Sequence, residues 1–205
     1  MRIIAGTKRG MNLFSPKGDI SRPITDRVKE SLFNVLYNYG FPEGKMVADL
    51  FSGVGSLGLE TLSRGAAFVT FVEKDPRVIE VLKKNIEKAG FIRESKVIRA
   101  NAFKIGAPPL RDTLRWVDEQ KYDLIFVDPP YSVTDDVGEN SPLSGLMMVL
   151  SEQLTPRGIV IVRTEKHSEL PRQYGRLRII DKRRWGSMTV TILGQISNDQ
   201  QTSSN

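Results

Sequence analysis

The stretch "YDLIFVDPPYS", residues 122–132, ends an apolar run with Asp128-Pro129-Pro130-Tyr131. A proline fixes φ, carries no N–H donor and holds the residue before it extended. Asp128 and Pro129 are therefore stretched, and the tetrapeptide presents acceptors: the Asp128 carboxylate and the Pro129 carbonyl, beside the flat face of Tyr131. Such a set suits an exocyclic amino group on a nucleobase, which brings two N–H donors and a ring that stacks. Acceptors drawing on both hydrogens loosen the nitrogen lone pair from the ring. They also favour the positive charge that develops as the nitrogen attacks a methyl donor.

A second constellation lies upstream. Gly53-Val54-Gly55-Ser56-Leu57-Gly58 matches G-x-G-x-x-G between an apolar run and a helical pattern. The spacing gives Gly53 to a tight turn, Gly55 to close approach of a ligand, and Gly58 to close helix–strand packing. Glu73 follows 20 residues after Gly53, at the end of the next apolar run, where a carboxylate can accept from ribose hydroxyls. These residues point to an adenosine cofactor, either a nicotinamide dinucleotide or S-adenosylmethionine. No histidine or Ser-Tyr-Lys constellation for hydride chemistry accompanies them, and Asp128–Tyr131 favours the methyl donor.

Composition narrows the chemistry. With no Cys and a single His, disulfides, thiolate metal sites, multi-histidine centres and a cysteine nucleophile are excluded, and no metal is expected. His167 sits in the polar run "RTEKHSEL" and reads as a solvated loop residue. Positive charge is concentrated in two flanking segments: seven cations against three carboxylates in residues 1–30, and eight against three in 163–184. Clustered cations of this kind suit a polyanion such as nucleic acid. No apolar stretch is long enough to span a bilayer and "MRIIAGTKRG" has no signal-peptide core, so a cytoplasmic location with no membrane partner is expected.

The elements that must position these residues can be read from periodicity. "RIIAG" and "MNLFSP" around "TKRG" read as a short hairpin, and "PITDRVKESLFNVLYNYG" as a helix capped by Thr25 or Asp26 and ended at Gly40. From residue 46, strands ("MVADLF", "FVTFVEKD", "KVIRANA", "YDLIFVDPP", "GIVIVRTE") alternate with helices ("PRVIEVLKKNIEKAG", "PLRDTLRWVDEQ", "SPLSGLMMVLSEQL"). "RLRIIDKRRWGSMTVTILG" reads as two strands around a turn. The alternation predicts an α/β fold, mostly parallel, with one antiparallel edge strand. Residues 1–44 form a hairpin-and-helix extension, 45–196 the main domain, and the polar 197–205 a disordered tail.

"RIIAGTKRG", "RPITDRVKESLFN", "DLFSGVGSLGLETLSRGA" and "FVDPPY" together resemble the RsmD family of class I, S-adenosylmethionine-dependent methyltransferases, and the resemblance runs from about residue 1 to about 194. It implies a Rossmann-like sheet and methylation of the N2 amine of one guanine in small-subunit (16S) ribosomal RNA, with S-adenosylhomocysteine as product. Carried over, it implies that Asp49, Ser52, Gly53, Gly55 and Gly58 hold the methionine part of the cofactor. Glu73 would take the ribose, and Asn101 and Ala102 the adenine edge. Asp128, Pro129 and Tyr131 would be catalytic and hold the guanine, with Pro130 beside it. Thr25 would close over the cofactor, Arg22 and Arg27 over the RNA, and Lys8 and Arg9 would meet RNA phosphates. The implied acceptor is an assembled or partly assembled small subunit; a monomer is the default expectation for the chain itself. The fifth strand ends in "VRTEK", where relatives tend to carry an acid one or two residues earlier, and the loop 132–145 is long and acidic.

Two other functions stand beside this one. A DNA adenine-N6 methyltransferase would use the same tetrapeptide but usually needs an added target-recognition domain. A non-catalytic RNA-binding ribosome assembly factor would have little use for intact glycines, Glu73 and "DPPY" in one chain.

Overall fold

The computed structural model describes residues 1–16, 24–110, 121–134 and 136–196. The chain forms two compact units, Met1–Ala102 and Phe103–Asn205.

In the first unit, helix α1 (Asp26–Asn38) starts at Thr25, whose hydroxyl accepts from the Val28 N–H. Strands β1 (Met46–Leu50), β2 (Phe68–Glu73) and β3 (Ser95–Arg99) form a parallel sheet in the order β3-β2-β1. Helix α2 (Ser56–Ser63) follows β1, and α3 (Pro76–Ala89) follows β2. Leu57 through Ser63 are all buried, so α2 is an interior helix rather than an amphipathic one. Helix α3 has the span its sequence predicts, from Pro76 to a closing Gly90 with φ +75, while Asp75, read as the end of the strand run "FVTFVEKD", is instead its cap. The run "KVIRANA" is strand only to Arg99, because Ala102–Ile105 turns into a short helix, α4.

The N-terminal hairpin closes on a single bridge, Arg2↔Asn12, with backbone bonds Ile3–Met11 and Leu13–Met1 around it. Its residues are held less by each other than by the helices beneath. Glu60 of α2 accepts from the Ile4 and Ala5 N–H groups at 2.7 and 3.0 Å. Ser63 accepts from Lys8 N and donates to Ala5 O, and Asn85 of α3 bonds both Phe14 N and Phe14 O.

In the second unit, α4 continues to Ile105, and β4 (Tyr122–Val127), α5 (Pro142–Gln153) and β5 (Leu154–Glu165) precede β6 (Gln173–Tyr174), β7 (Leu177–Trp185) and β8 (Met188–Gln195). Their order is β4-β5-β8-β7-β6, with β4 and β5 parallel, β8 antiparallel to β5, and β7 antiparallel to β8. Leu124 through Val127 are fully buried, as expected of a strand covered on both faces. Strand β5 begins at Leu154, earlier than the run "GIVIVRTE". Leu154 pairs with Tyr122, and a register shift then carries the ladder to Leu124↔Ile159. The helix read over "PLRDTLRWVDEQ" falls largely on 111–120, and the tail on 197–205; both lie outside the described residues. Among the described residues no helix is long and apolar enough to cross a membrane.

Candidate active site

The glycine loop is organised by two carboxylates. Asp49, near the end of β1 and 1% exposed, accepts from the Gly58 N–H at 2.9 Å. That bond caps α2 from a distance, since Gly55 at the cap position has no side chain to do so. Glu73, the last residue of β2, accepts from Gly53 N through Oε2 and from Lys74 N and Asp75 N through Oε1. A carboxylate has about four lone-pair sites, so one remains for a hydroxyl. Ser52 bonds Val72 O through both its N–H and its hydroxyl.

The glycines serve distinct ends. Gly53 has φ +53 and open space where a Cβ would stand. Gly55 has φ +88, and a Cβ there would come 2.6 Å from Leu82 Cδ1, so this glycine is required by the turn and by packing. The motif's spacing assigns Gly55 to ligand approach, and the Leu82 contact is a further reason for glycine there. At Gly58 a Cβ would stand 2.3 Å from Phe71 Cε1, the close helix–strand contact that the motif predicts. Phe51 holds φ +64, alone among the described non-glycine residues, and backbone strain of this kind clusters at functional sites. Asn101 and Ala102 follow β3 beside Glu73, whose carbonyl accepts from Ala100 N.

The N-terminal candidates divide. The Thr25 hydroxyl is occupied as a helix cap. Arg27 and Arg9 are exposed, the Lys8 ammonium lies 5.7 Å from the Phe91 ring centroid, and Arg22 lies outside the described residues. Sequence reasoning missed Lys29. It is fully buried, donates to Arg2 O at 2.6 Å and Ser56 Oγ at 3.4 Å, and pairs with Glu60 at 3.3 Å. Burial holds its ammonium below the usual lysine range, opposed by Glu60. One signal could have found it: Lys29 shares the helical face of Leu32, Phe33 and Leu36.

In the second unit Asp128 follows β4, one residue past the Val127↔Val162 pair, and faces Arg163 of β5. Arg163 Nε donates to Asp128 Oδ1 in a very short contact, and its guanidinium lies 5.6 Å from the Tyr131 ring centroid. Burial raises the Asp128 carboxyl above its ordinary value, and Arg163 opposes that rise. Tyr131 opens a 3-10 turn over Tyr131–Val133. Pro130 O accepts from Val133 N, and Tyr131 O from Thr134 N. Asp128 Oδ2 and the Pro129 carbonyl accept from no group among the described residues. The Tyr131 hydroxyl is buried without a partner among them. Arg163 was the other residue missed: a cation inside an apolar strand, 35 residues from its carboxylate. His167 is exposed, and no cluster that could hold a metal occurs among the described residues.

Comparison with known proteins now bears on both halves. A family model described as "Conserved hypothetical protein 95" matches residues 1–194. YlbH of Bacillus subtilis is 33% identical over 94% of this chain and 97% of its own. A Haemophilus influenzae protein named "Ribosomal RNA small subunit methyltransferase D" is 35% identical over 83% of this chain and 81% of its own. The chain belongs to the RsmD family. Among solved structures, yhhF from Escherichia coli superposes with a TM-score of 0.75 at 28% identity, covering 95% of this chain and 97% of that one. HI0767 from Haemophilus influenzae gives 0.71 at 30% identity, with 96% and 98% covered. The fold of this RsmD-family chain is the Rossmann-like class I methyltransferase fold, mostly parallel with an antiparallel edge.

Proposed function

We propose that this chain transfers a methyl group from S-adenosylmethionine to the exocyclic N2 amine of one guanine in small-subunit ribosomal RNA, within an assembled or partly assembled subunit. The observation that carries the reading is the state of Asp128. One carboxylate oxygen is fixed by Arg163, while the other and the Pro129 carbonyl remain open as acceptors beside the Tyr131 ring. Relatives named as ribosomal RNA small subunit methyltransferases support the substrate class.

The first unit offers the features a bound S-adenosylmethionine needs. There is open space at Gly53, one accepting site left on Glu73 for a ribose hydroxyl, and Asn101 and Ala102 beside it for the adenine edge. Asp49 and Gly58 hold the loop in shape for the methionine part. The cofactor, when bound, supplies an electrophilic methyl group on sulfur. Asp128 Oδ2 and Pro129 O would accept the two amine hydrogens, leaving the N2 lone pair free to take the methyl group that the bound cofactor would supply. Tyr131 presents its ring to the flat face of the guanine. Asp128 Oδ2 then holds the proton that the methylated amine sheds, with S-adenosylhomocysteine as the other product. Arg163 keeps Asp128 oriented and favours its ionised form. A guanine in folded RNA must be unstacked to reach such a site. Methylation at C5 of a pyrimidine is a poor alternative, because it commonly uses a cysteine and this chain has none.

Asp128→Ala tests the reading. Methyl transfer should vanish while cofactor affinity stays within about tenfold, about 1.4 kcal/mol. Normal turnover in this variant would remove Asp128 from the chemistry.

A further inference from the structure

Apart from Arg163, the basic segment 163–184 is unused by the chemistry above, and the structure places half of its eight cations on one strand. β7 carries Arg178, Lys182, Arg183 and Arg184 against the single carboxylate Asp181. Arg183 is held by Asp181 at 2.9 and 3.0 Å. Lys182 and Arg184 are exposed, and their side chains have no carboxylate partner among the described residues. β6 covers only Leu177 and Arg178, so from Ile180 to Trp185 the outer side of β7 pairs with no strand among the described residues. The hairpin tip that follows is anchored where β5 ends: Lys166 N donates to Ser187 O at 2.9 Å.

Register fixes where these cations lie relative to the amine-holding carboxylate. Arg163 pairs with Val190, and Val190 with Arg183; Thr164 pairs with Thr189, and Thr189 with Arg184. Asp128 contacts Arg163 in the same row. The basic stretch therefore stands three strand spacings from Asp128, about 14 Å at ~4.8 Å each. That distance is about four stacked nucleotides at ~3.4 Å each.

We propose that the outer edge of β7, through Lys182 and Arg184, binds RNA phosphates a few nucleotides from the guanine held at Asp128. This rests on the reading of the chain as an RNA guanine methyltransferase. The occupant is RNA because the strand offers exposed cations without a carboxylate partner among the described residues, one residue to either side of the row of Arg183, Val190 and Arg163, with half-buried Trp185 at the end of the strand as an apolar face for a base. Charged residues on an edge strand also discourage pairing with another chain. That role alone, however, gives no salt-dependent affinity for RNA.

The test uses the full chain and small ribosomal subunits lacking the modification, with KM, kcat and the salt dependence of binding measured for each protein. Lys182→Gln with Arg184→Gln should raise KM for subunits about tenfold and leave kcat at saturation and cofactor affinity unchanged. The slope of log affinity against log salt should fall by about 1.5 for two phosphate contacts. Lys182→Glu with Arg184→Glu should raise KM further. The charge-keeping exchange Lys182→Arg with Arg184→Lys should behave as wild type. An unmoved KM and salt slope in both charge-removing proteins would overturn the proposal. So would an exchange variant as impaired as the neutral one, because charge would then not be the cause. Wild-type protein run in parallel separates the two readings. Absence of wild-type N2-methylguanosine overturns both, whereas normal wild-type product with an unmoved variant slope overturns the β7 surface alone.

Discussion

Arg163 reaches Asp128 across 35 residues of sequence because β4 and β5 run parallel and in register at Val127↔Val162. The pair sets the charge state of the carboxylate proposed to receive the amine. Burial raises the Asp128 carboxyl and Arg163 opposes the rise, and the proposed chemistry needs the ionised form. Arg163→Met removes the opposing cation, so the acid limb of the pH–rate profile should move to higher pH. Each unit of that movement is about tenfold in the ionised fraction below the new value. A pH–rate profile whose limb stays in place would contradict this role.

The same pair has a stability signature. A carboxyl whose folded value is raised favours the fold most below its unfolded pKa, and that advantage is lost as pH rises through the folded value. Without Arg163 the part-buried carboxylate is uncompensated, at a cost of about 3 kcal/mol near neutrality. Thermal melts of Arg163→Met against wild type should show that deficit near pH 7 and a smaller one near pH 4. A deficit independent of pH would assign the loss to packing.

Glu60 is the anchor of the N-terminal segment. It is fully buried and receives Ile4 N, Ala5 N, Arg64 Nε and the Lys29 ammonium. Glu60→Ala leaves Lys29 charged in a closed site, and loss of one buried partner costs about 3–5 kcal/mol. Denaturant unfolding should show that loss, and trypsin should cut after Lys8 and Arg9 faster than in wild type. Unchanged cleavage would mean that the contacts from Ser63, Asn85 and Lys88 hold the segment unaided.

Two glycines of one motif should respond differently to the same methyl group. Gly58→Ala drives a Cβ to 2.3 Å from Phe71 Cε1, an overpacking cost of about 1–3 kcal/mol. It should also displace the Asp49 cap and weaken cofactor binding. Gly53→Ala meets nothing within 4 Å and costs only the left-handed backbone strain, about 1–2 kcal/mol. Its fold should persist, and any loss of cofactor affinity would then report crowding of the ligand's own space. Calorimetric titration of both variants with S-adenosylmethionine, beside their unfolding curves, checks the distinction. Equal stability losses would contradict it.

What the sequence revealed follows from which interactions are local. Pro76 and Gly90 mark the ends of α3 because helix ends are set within one turn. The apolar runs of β1, β2 and β4 are legible because buried parallel strands admit little else. Gly58 was readable because its need is a helix-to-strand contact built into the motif. The packing of Gly55 against Leu82 was not readable, since Leu82 lies on another helix. Lys29 and Glu60 look like solvated charges until α1 and α2 meet, and Arg163 acquires a partner only through strand pairing. The early start of β5 came from Leu154 pairing with Tyr122 across a register shift, which periodicity does not encode. The N-terminal hairpin proved mostly a segment docked on α2 and α3, with its own pairing reduced to Arg2↔Asn12.

The most direct measurement is methyl transfer from labelled S-adenosylmethionine to unmodified small ribosomal subunits, naked ribosomal RNA and duplex DNA, with each product digested to nucleosides and identified. The account requires N2-methylguanosine, formed best on the assembled or partly assembled particle. N6-methyladenine from DNA would keep the amine-holding chemistry of Asp128 and contradict the substrate, and no transfer to any acceptor would contradict catalysis itself.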